Sequence, residues 1–328
     1  MIVARATACL KLLVVTGALT IPAMHAQAAI ELMDRIELPG STGRLDHLAI
    51  DIQGRRLFVA ALGADAVEVV DTQERKRVLR LRGREPQGLA YLPSVEHLLI
   101  ANGGNGSIDV FVGGQRKGGL ADLPDVDNLR LDGKAGLLYA GYSDGLAVVD
   151  PVHVRLVDRF ALPGHPESFQ LATNGPEVYI NVPSGRRVIV LDRRSGRITA
   201  TWDVSPAAQN FPMALDETAQ RLLVATRRPA RLQVYDTASG RRIAEIPLCG
   251  DADDLFFDAE RRQAYAVCGE GRVEVVRQLD PDRYEVADRI ATAPGARTGL
   301  YVPAMNTLFV AAPARPGRSA EVLVYRVR

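Results

Sequence analysis

The feature that most constrains this chain is a phrase repeated seven times at intervals of about forty residues. Each copy opens with a short lead-in, Leu45–Leu48, Pro86–Leu89, Val126–Leu129, Pro166–Phe169, Asn210–Met213, Ala252–Leu255 and Arg297–Leu300 in turn. The third residues of these lead-ins fall at 47, 88, 128, 168, 212, 254 and 299, giving spacings of 41, 40, 40, 44, 42 and 45. A unit this short cannot bury an apolar face by itself, so the copies must pack against one another.

Within each copy the segments read as strands. The second segments are Arg56–Ala60, His97–Ala101, Leu137–Ala140, Glu177–Asn181, Arg221–Ala225, Gln263–Val267 and Thr307–Ala311. They are rich in β-branched and aromatic residues and bounded by turn formers. Third segments such as Val67–Val70, Val188–Leu191 and Leu232–Tyr235 follow, and four of them close on Asp71, Asp150, Asp192 and Asp236. A carboxylate there is expected to accept backbone N–H groups in a tight turn. Forty residues in four strands is the unit of a β-propeller blade, and radial closure removes exposed sheet edges. The expected fold is therefore all-β, a seven-bladed β-propeller of four-stranded antiparallel blades. The seventh copy stops after its third strand, Val322–Val327, while an unmatched strand, Ile30–Leu38, precedes the first. The stretch "DRIELPGSTGRLDHL" echoes "DRIATAPGARTGL" (288–300), so the N-terminal strand is expected to complete the last blade. No linker or charge block interrupts residues 29–328, which read as a single propeller domain.

These copies resemble the YVTN-type repeat of bacterial propellers, the YncE-like group, over essentially all of residues 30–328. Matching stretches are Arg56–Thr72, Glu177–Gly196 and Arg221–Gly240, the last reading "RLLVATRRPARLQVYDTASG". The Y-V-T-N core is degenerate, with "VYIN" (178–181) and "LFVA" as the nearest forms. The resemblance implies a seven-bladed propeller; functions in that group are diverse, and some members are thought to bind DNA.

Residues 1–28 carry the marks of a signal peptide. Arg5 and Lys11 precede and open an apolar run, Leu12–Ile21, and Ala26-Gln27-Ala28 is an A-x-A cleavage signal. The run is too short to span a bilayer. Cys9 lacks the surroundings of a lipoprotein cleavage site, so no lipid anchor is expected. Export to the periplasm or beyond follows. Cleavage removes Arg5 and Lys11 and no acid, taking the formal charge from +1 to −1. With 40 basic and 39 acidic residues, the chain has no global field to draw it to nucleic acid or anionic lipid. A membrane span and a nucleic-acid partner are not expected, and a monomer is.

Function is expected at one face. In a four-stranded blade the start of the inner strand and the hairpin between the second and third strands emerge together, so all seven lead-ins converge at the channel mouth. The column before the counted residue reads Asp46, Gln87, Asp127, Glu167, Phe211, Asp253 and Thr298, and the counted column adds His47, Asn128, Ser168 and Asp254. Asp125, His165 and Asp251 lie two residues earlier. Asn102, Asn105, Asn181, Arg227, Arg228 and Arg231 come from the hairpins, and Arg297 from the last lead-in. His97 and His153 are expected near the opposite face.

Two functions compete with a purely structural role in which these side chains satisfy tight turns. As a binding site, Asp46, His47, Asn128, His165, Glu167, Asn181, Arg227, Arg228, Asp253, Asp254 and Arg297 would orient a polar small molecule or a protein partner. As a metal site, Asp46, Asn128, Glu167 and Asp253 would offer oxygens to a divalent cation (calcium, magnesium, manganese or zinc), with His47 or His165 as proton acceptor. That arrangement resembles gluconolactonase-type propellers and would hydrolyse a lactone. Serine-hydrolase, Walker, dinucleotide-binding and H-E-x-x-H motifs are all missing from the sequence.

After cleavage only Cys249 and Cys268 remain, both expected near the mouth. A disulfide, two reduced buried thiols, or soft-metal ligation with His47 or His165 are each compatible with the sequence; the absence of C-x-x-C argues against redox catalysis. Trp202, the only tryptophan, falls in a fourth strand and is expected to serve as packing.

Overall fold

The computed structural model describes residues 1–2 and 29–328. The leader assigned to residues 1–28, with its cleavage signal, lies outside the described residues apart from Met1 and Ile2. No helix among the described residues is long and apolar enough to cross a membrane.

Seven four-stranded antiparallel sheets follow one another along the chain. Six are built from consecutive strands, beginning at Leu48–Asp51, Pro86–Leu92, Leu129–Asp132, Phe169–Leu171, Ala208–Asp216 and Ala252–Asp258 and numbered here as blades one to six. Blade seven consists of Thr298–Val302, Thr307–Ala312 and Ala320–Val327, and its outermost strand is Ile30–Leu38 from the other end of the chain. That strand pairs antiparallel with Ala320–Val327, from Ile30 opposite Val327 to Leu38 opposite Ala320. The ring is thus tied by the first and last strands.

Each second strand is packed on both faces, which explains its near-continuous apolar reading: Leu57 to Ala61 are all buried, as are Leu222 to Thr226. Outer strands are the opposite; Lys76–Arg82 buries only Leu81. The core consists of seven apolar clusters, one in each cleft between neighbouring blades. Tyr265 and Val267 of blade six meet Leu308 and Val310 of blade seven, and Phe309 and Val322 of blade seven meet Leu48 and Leu57 of blade one. Trp202 packs between Tyr179 and Tyr235, with ring centroids 5.6 and 5.9 Å away, filling the cleft between blades four and five.

The four aspartates at the ends of third strands do what the turns require. One oxygen of Asp71 accepts from the N–H groups of Gln73 and Glu74, and Asp150 and Asp192 repeat the pattern with the second and third residues after them. Asp236 accepts from Ser239 N–H. These bonds stabilise the charged carboxylate, and Asp150, which also bonds His153, is held down at about 2.

Candidate functional site

The lead-in loops meet at one end of the channel, each hydrogen-bonded to the hairpin of its own blade. Asp46 N–H donates to Ala60, Asp127 N–H to Gly141 and Glu167 N–H to Asn181. This pairing fixes the acidic column at the rim. Close approach between blades is allowed by glycine at one point: a Cβ on Gly88 would sit 2.0 Å from the Asp127 carbonyl oxygen.

His47 stands at the centre of the site. Its Nδ1 is 3.5 Å from Asp254 Oδ2, and its Nε2 is 3.7 Å from Asp127 Oδ1 and 3.9 Å from Asp46 Oδ1. Burial alone would push the imidazolium towards neutrality, but Asp254, Asp46 and Asp127 override it and raise the pKa to about 10. These carboxylates favour the imidazolium form of His47 at neutral pH.

Around it the acids are divided between arginines. Arg44 Nη2 lies 3.0 Å from Asp46 Oδ2 and 3.6 Å from Asp253 Oδ2. Arg227 Nη2 reaches Asp253 Oδ1 at 2.5 Å and Nη1 reaches Asp251 Oδ1 at 3.3 Å, while Nε donates to the Ala252 carbonyl. The Arg227 guanidinium also sits 4.0 Å from the centroid of Phe211, the one aromatic in the acidic column. Arg297 pairs with Asp251 at 3.1 Å. Burial raises the pKa of Asp46 to about 7 and of Glu167 to about 8, and it raises that of Asp253 as well; the neighbouring acids add to the effect at Asp46 and Glu167. Asp127 Oδ1 and Asn128 Oδ1 are buried without a hydrogen-bond donor among the described residues.

Below this ring the channel opens into a cavity of about 400 Å³. Its polar lining is His47, Arg130, Ser168, Gln170 and Asp254, and most of the rest is hydrocarbon from Leu48, Leu89, Leu129, Met213, Leu255 and Leu300 among others. His47 and Asp254 therefore belong to both the ring and the cavity wall. Burial lowers the pKa of Arg130, against the opposing pull of Asp254 and Asp127.

Several sequence-derived candidates have other roles. Asn181 is fully buried; it donates to the Phe211 carbonyl and accepts from Asn210, linking blades four and five. Asp254 accepts from Gly299 N–H at 2.8 Å and so fastens blade six to blade seven as well as facing His47. His165 bonds the Ser143 carbonyl through Nδ1 and lies 3.5 Å from Asp125, at the rim of blades three and four rather than beside His47. Arg228 is exposed next to Pro229, and Arg231 faces Glu245 of the outer strand. His97 and His153 lie away from the ring: His97 bonds the Pro151 carbonyl and His153 bonds Asp150.

No three His, Cys, Asp or Glu side chains among the described residues are disposed to hold a metal. Both oxygens of Asp253 face guanidinium groups, and Asp46 is shared by Arg44 and His47. Arg44 and Arg130 were not singled out from sequence. For Arg130 a signal exists, a lone charge between Leu129 and Leu131 in an inner strand whose equivalents are Ala49, Ala90, Gln170, Ala214, Phe256 and Tyr301.

Cys249 and Cys268 are joined as a disulfide, with Cα atoms 6.0 Å apart. Cys249 opens the loop that carries Asp251, Asp253 and Asp254 into blade six, and Cys268 ends the adjoining second strand.

Fold and site together define a seven-bladed β-propeller with a charged channel mouth. Among solved structures the chain is similar to a chain of Kuenenia stuttgartiensis hydrazine synthase, with a TM-score of 0.73 and 16% identity over 94% of this chain and 99% of that one. It is equally similar to a chain of a mitotic checkpoint complex, with a TM-score of 0.73 and 13% identity over 98% and 99%. At such identities the likeness concerns the fold alone. No family model matches the sequence, and no curated protein is similar to it.

Proposed function

We propose that this chain is an exported propeller that binds a polar small molecule at the channel mouth, without making or breaking bonds. The observation that carries the reading is that His47 and Asp254 line a 400 Å³ cavity while also forming the centre of the charged ring. A charged ring over a closed surface would be decoration; over a cavity it is a selective opening. Export rests on the leader-like residues 1–28, and kinship with YVTN-type propellers rests on the repeat phrases quoted above.

Hydrolysis of the lactonase type is less well supported, because Asp46 and Asp253 are paired with arginine and the carboxylates around His47 favour its charged form. A DNA-binding role is less well supported, since Arg44, Arg227 and Arg297 at the mouth are each paired with an acid.

The test is a thermal-shift screen of the purified chain against amino acids, amines, sugars and organic acids, repeated on Asp254→Asn. A saturable rise in Tm with one class, lost in the variant, is expected; occupancy at a hundred times Kd adds about 2.7 kcal/mol. No response from any class, together with a stoichiometric divalent ion lost on mutating Glu167 and Asp253, would replace this reading with the hydrolase.

A further inference from the structure

Arg130 is the cation of this site without a counter-ion. It projects from the inner strand of blade three, Leu129–Asp132, into the channel cavity. Its guanidinium makes one hydrogen bond, from Nη1 to the carbonyl of Leu129 at 2.9 Å, and lies 5.8 Å from the Phe169 ring centroid. No carboxylate among the described residues comes within ion-pair distance of it. Asp254, the acid that shares the cavity, already accepts from Gly299 N–H and faces His47. Of the other acids of the ring, Asp46, Asp127 and Asp253 are paired with His47, Arg44 or Arg227. A guanidinium carries five donors in a planar fork, and leaving most of them unmatched in a confined cavity is costly.

We propose that Arg130 anchors the carboxylate of a small organic acid whose hydrocarbon body fills the apolar channel below the mouth. This rests on the mouth being a ligand site, and it names the ligand class. The fork of Arg130 matches a carboxylate through two parallel hydrogen bonds, and Ser168 on the same wall offers a hydroxyl donor. Ile50, Leu131, Phe256 and Leu300, the half-buried apolar residues of the wall, supply the surface for the body, and the volume, near the lower end for ligand cavities, restricts the ligand to a small molecule. The charged ring above selects polar-headed molecules, and the channel then requires that an apolar portion follow.

The experiment is calorimetric titration of the full chain with benzoate and hexanoate, each paired with its primary amide, and with inorganic phosphate. Saturable binding of at least one carboxylate is expected, with its amide at least tenfold weaker. Arg130→Gln should weaken the carboxylate at least tenfold, and Arg130→Lys, a point charge without the fork, should fall between. Without ligand, Arg130→Gln should melt at the same temperature as the wild type or higher, because the unmatched charge is gone. Amides binding as well as acids, phosphate binding in place of carboxylates, or a lower Tm for Arg130→Gln would each overturn the proposal. A compound from the broader screen that needs Asp254 but is indifferent to Arg130→Gln would remove this inference and leave the mouth as a ligand site. If nothing binds either the wild type or the variants, both fail.

Discussion

At the scale of single residues the site is governed by how protons are held in a confined space. Glu167 and Asp46 have folded-state pKa values raised to about 8 and about 7, and His47 is raised to about 10. In the unfolded chain these groups titrate near 4 for the acids and near 6.5 for histidine, about the values of free side chains. Between those limits the folded protein binds more protons than the unfolded one, so stability falls as pH rises. The contribution of the acids is complete below about pH 4 and is lost through pH 8; that of His47 is lost between about pH 6.5 and 10. Carboxylates such as Asp150, held down at about 2, act in the other direction only at strongly acidic pH. Urea unfolding is therefore expected to show greatest stability near pH 5 and a steady fall towards pH 10. Glu167→Gln should flatten part of that fall and stabilise the protein at pH 9 by about 1–2 kcal/mol, as expected when a buried acid no longer has to ionise. A stability maximum above pH 8 would contradict the proton assignment.

Gly88 acts at the same scale through shape. With a Cβ 2.0 Å from the Asp127 carbonyl oxygen, Gly88→Ala must push apart the lead-ins of blades two and three. A loss of about 1–3 kcal/mol in denaturant stability is expected, as for overpacking elsewhere. An unchanged midpoint would show that the two loops can separate freely.

At the scale of elements, the loop entering blade six carries more of the ring than any other, with Asp251, Asp253 and Asp254 in four residues. The Cys249–Cys268 disulfide fastens this loop to the second strand across 19 residues of chain. Cys249→Ser with Cys268→Ser is expected to cost about 2–4 kcal/mol, the usual range for such a closed loop. It should also weaken ligand binding more than an equally destabilising change in an outer strand. Equal effects on binding from both variants would mean that the disulfide serves stability alone.

The elements also show how much of the site could be read from the sequence. Superposing seven copies places residues by column, so Asp46, His47, Asp127, Glu167 and Asp253 were legible as a ring. Their ion pairs were not, because Arg44 and Arg227 reach across loops to acids in the lead-ins of blades one and six. The inter-blade bonds of Asn181 were not legible for a related reason: its partners, Phe211 and Asn210, belong to the neighbouring blade, and a column shows only equivalent positions. Arg130 broke an apolar column and could have been noticed, but only the cavity shows that its charge is unmatched. Strand order and closure were legible because they follow from the blade count and the unmatched first strand.

At the scale of the whole molecule, a ring of seven similar clefts has no single core, so closure governs cooperativity. The N-terminal strand supplies Ile36 and Leu38 to the cleft between blades seven and one, and Ile30 to the cleft between six and seven. Deleting residues 29–38 should expose the edge at Ala320–Val327 and broaden the unfolding transition, with loss of monomeric protein by light scattering. A permuted chain that begins at Leu45 and carries residues 29–44 after Arg328 should restore a single sharp transition. If the deletion itself unfolds as sharply as the full chain, the strand is dispensable.

The central claim is that the mouth and the cavity beneath it form one ligand site. Hydrogen exchange with and without the tightest-binding compound of the screen tests this directly. Protection is predicted at residues 46–50, 127–131, 167–170 and 252–256, with the outer strands unchanged. Protection confined to outer strands or to the face bearing His97 and His153, or none at all, would contradict it.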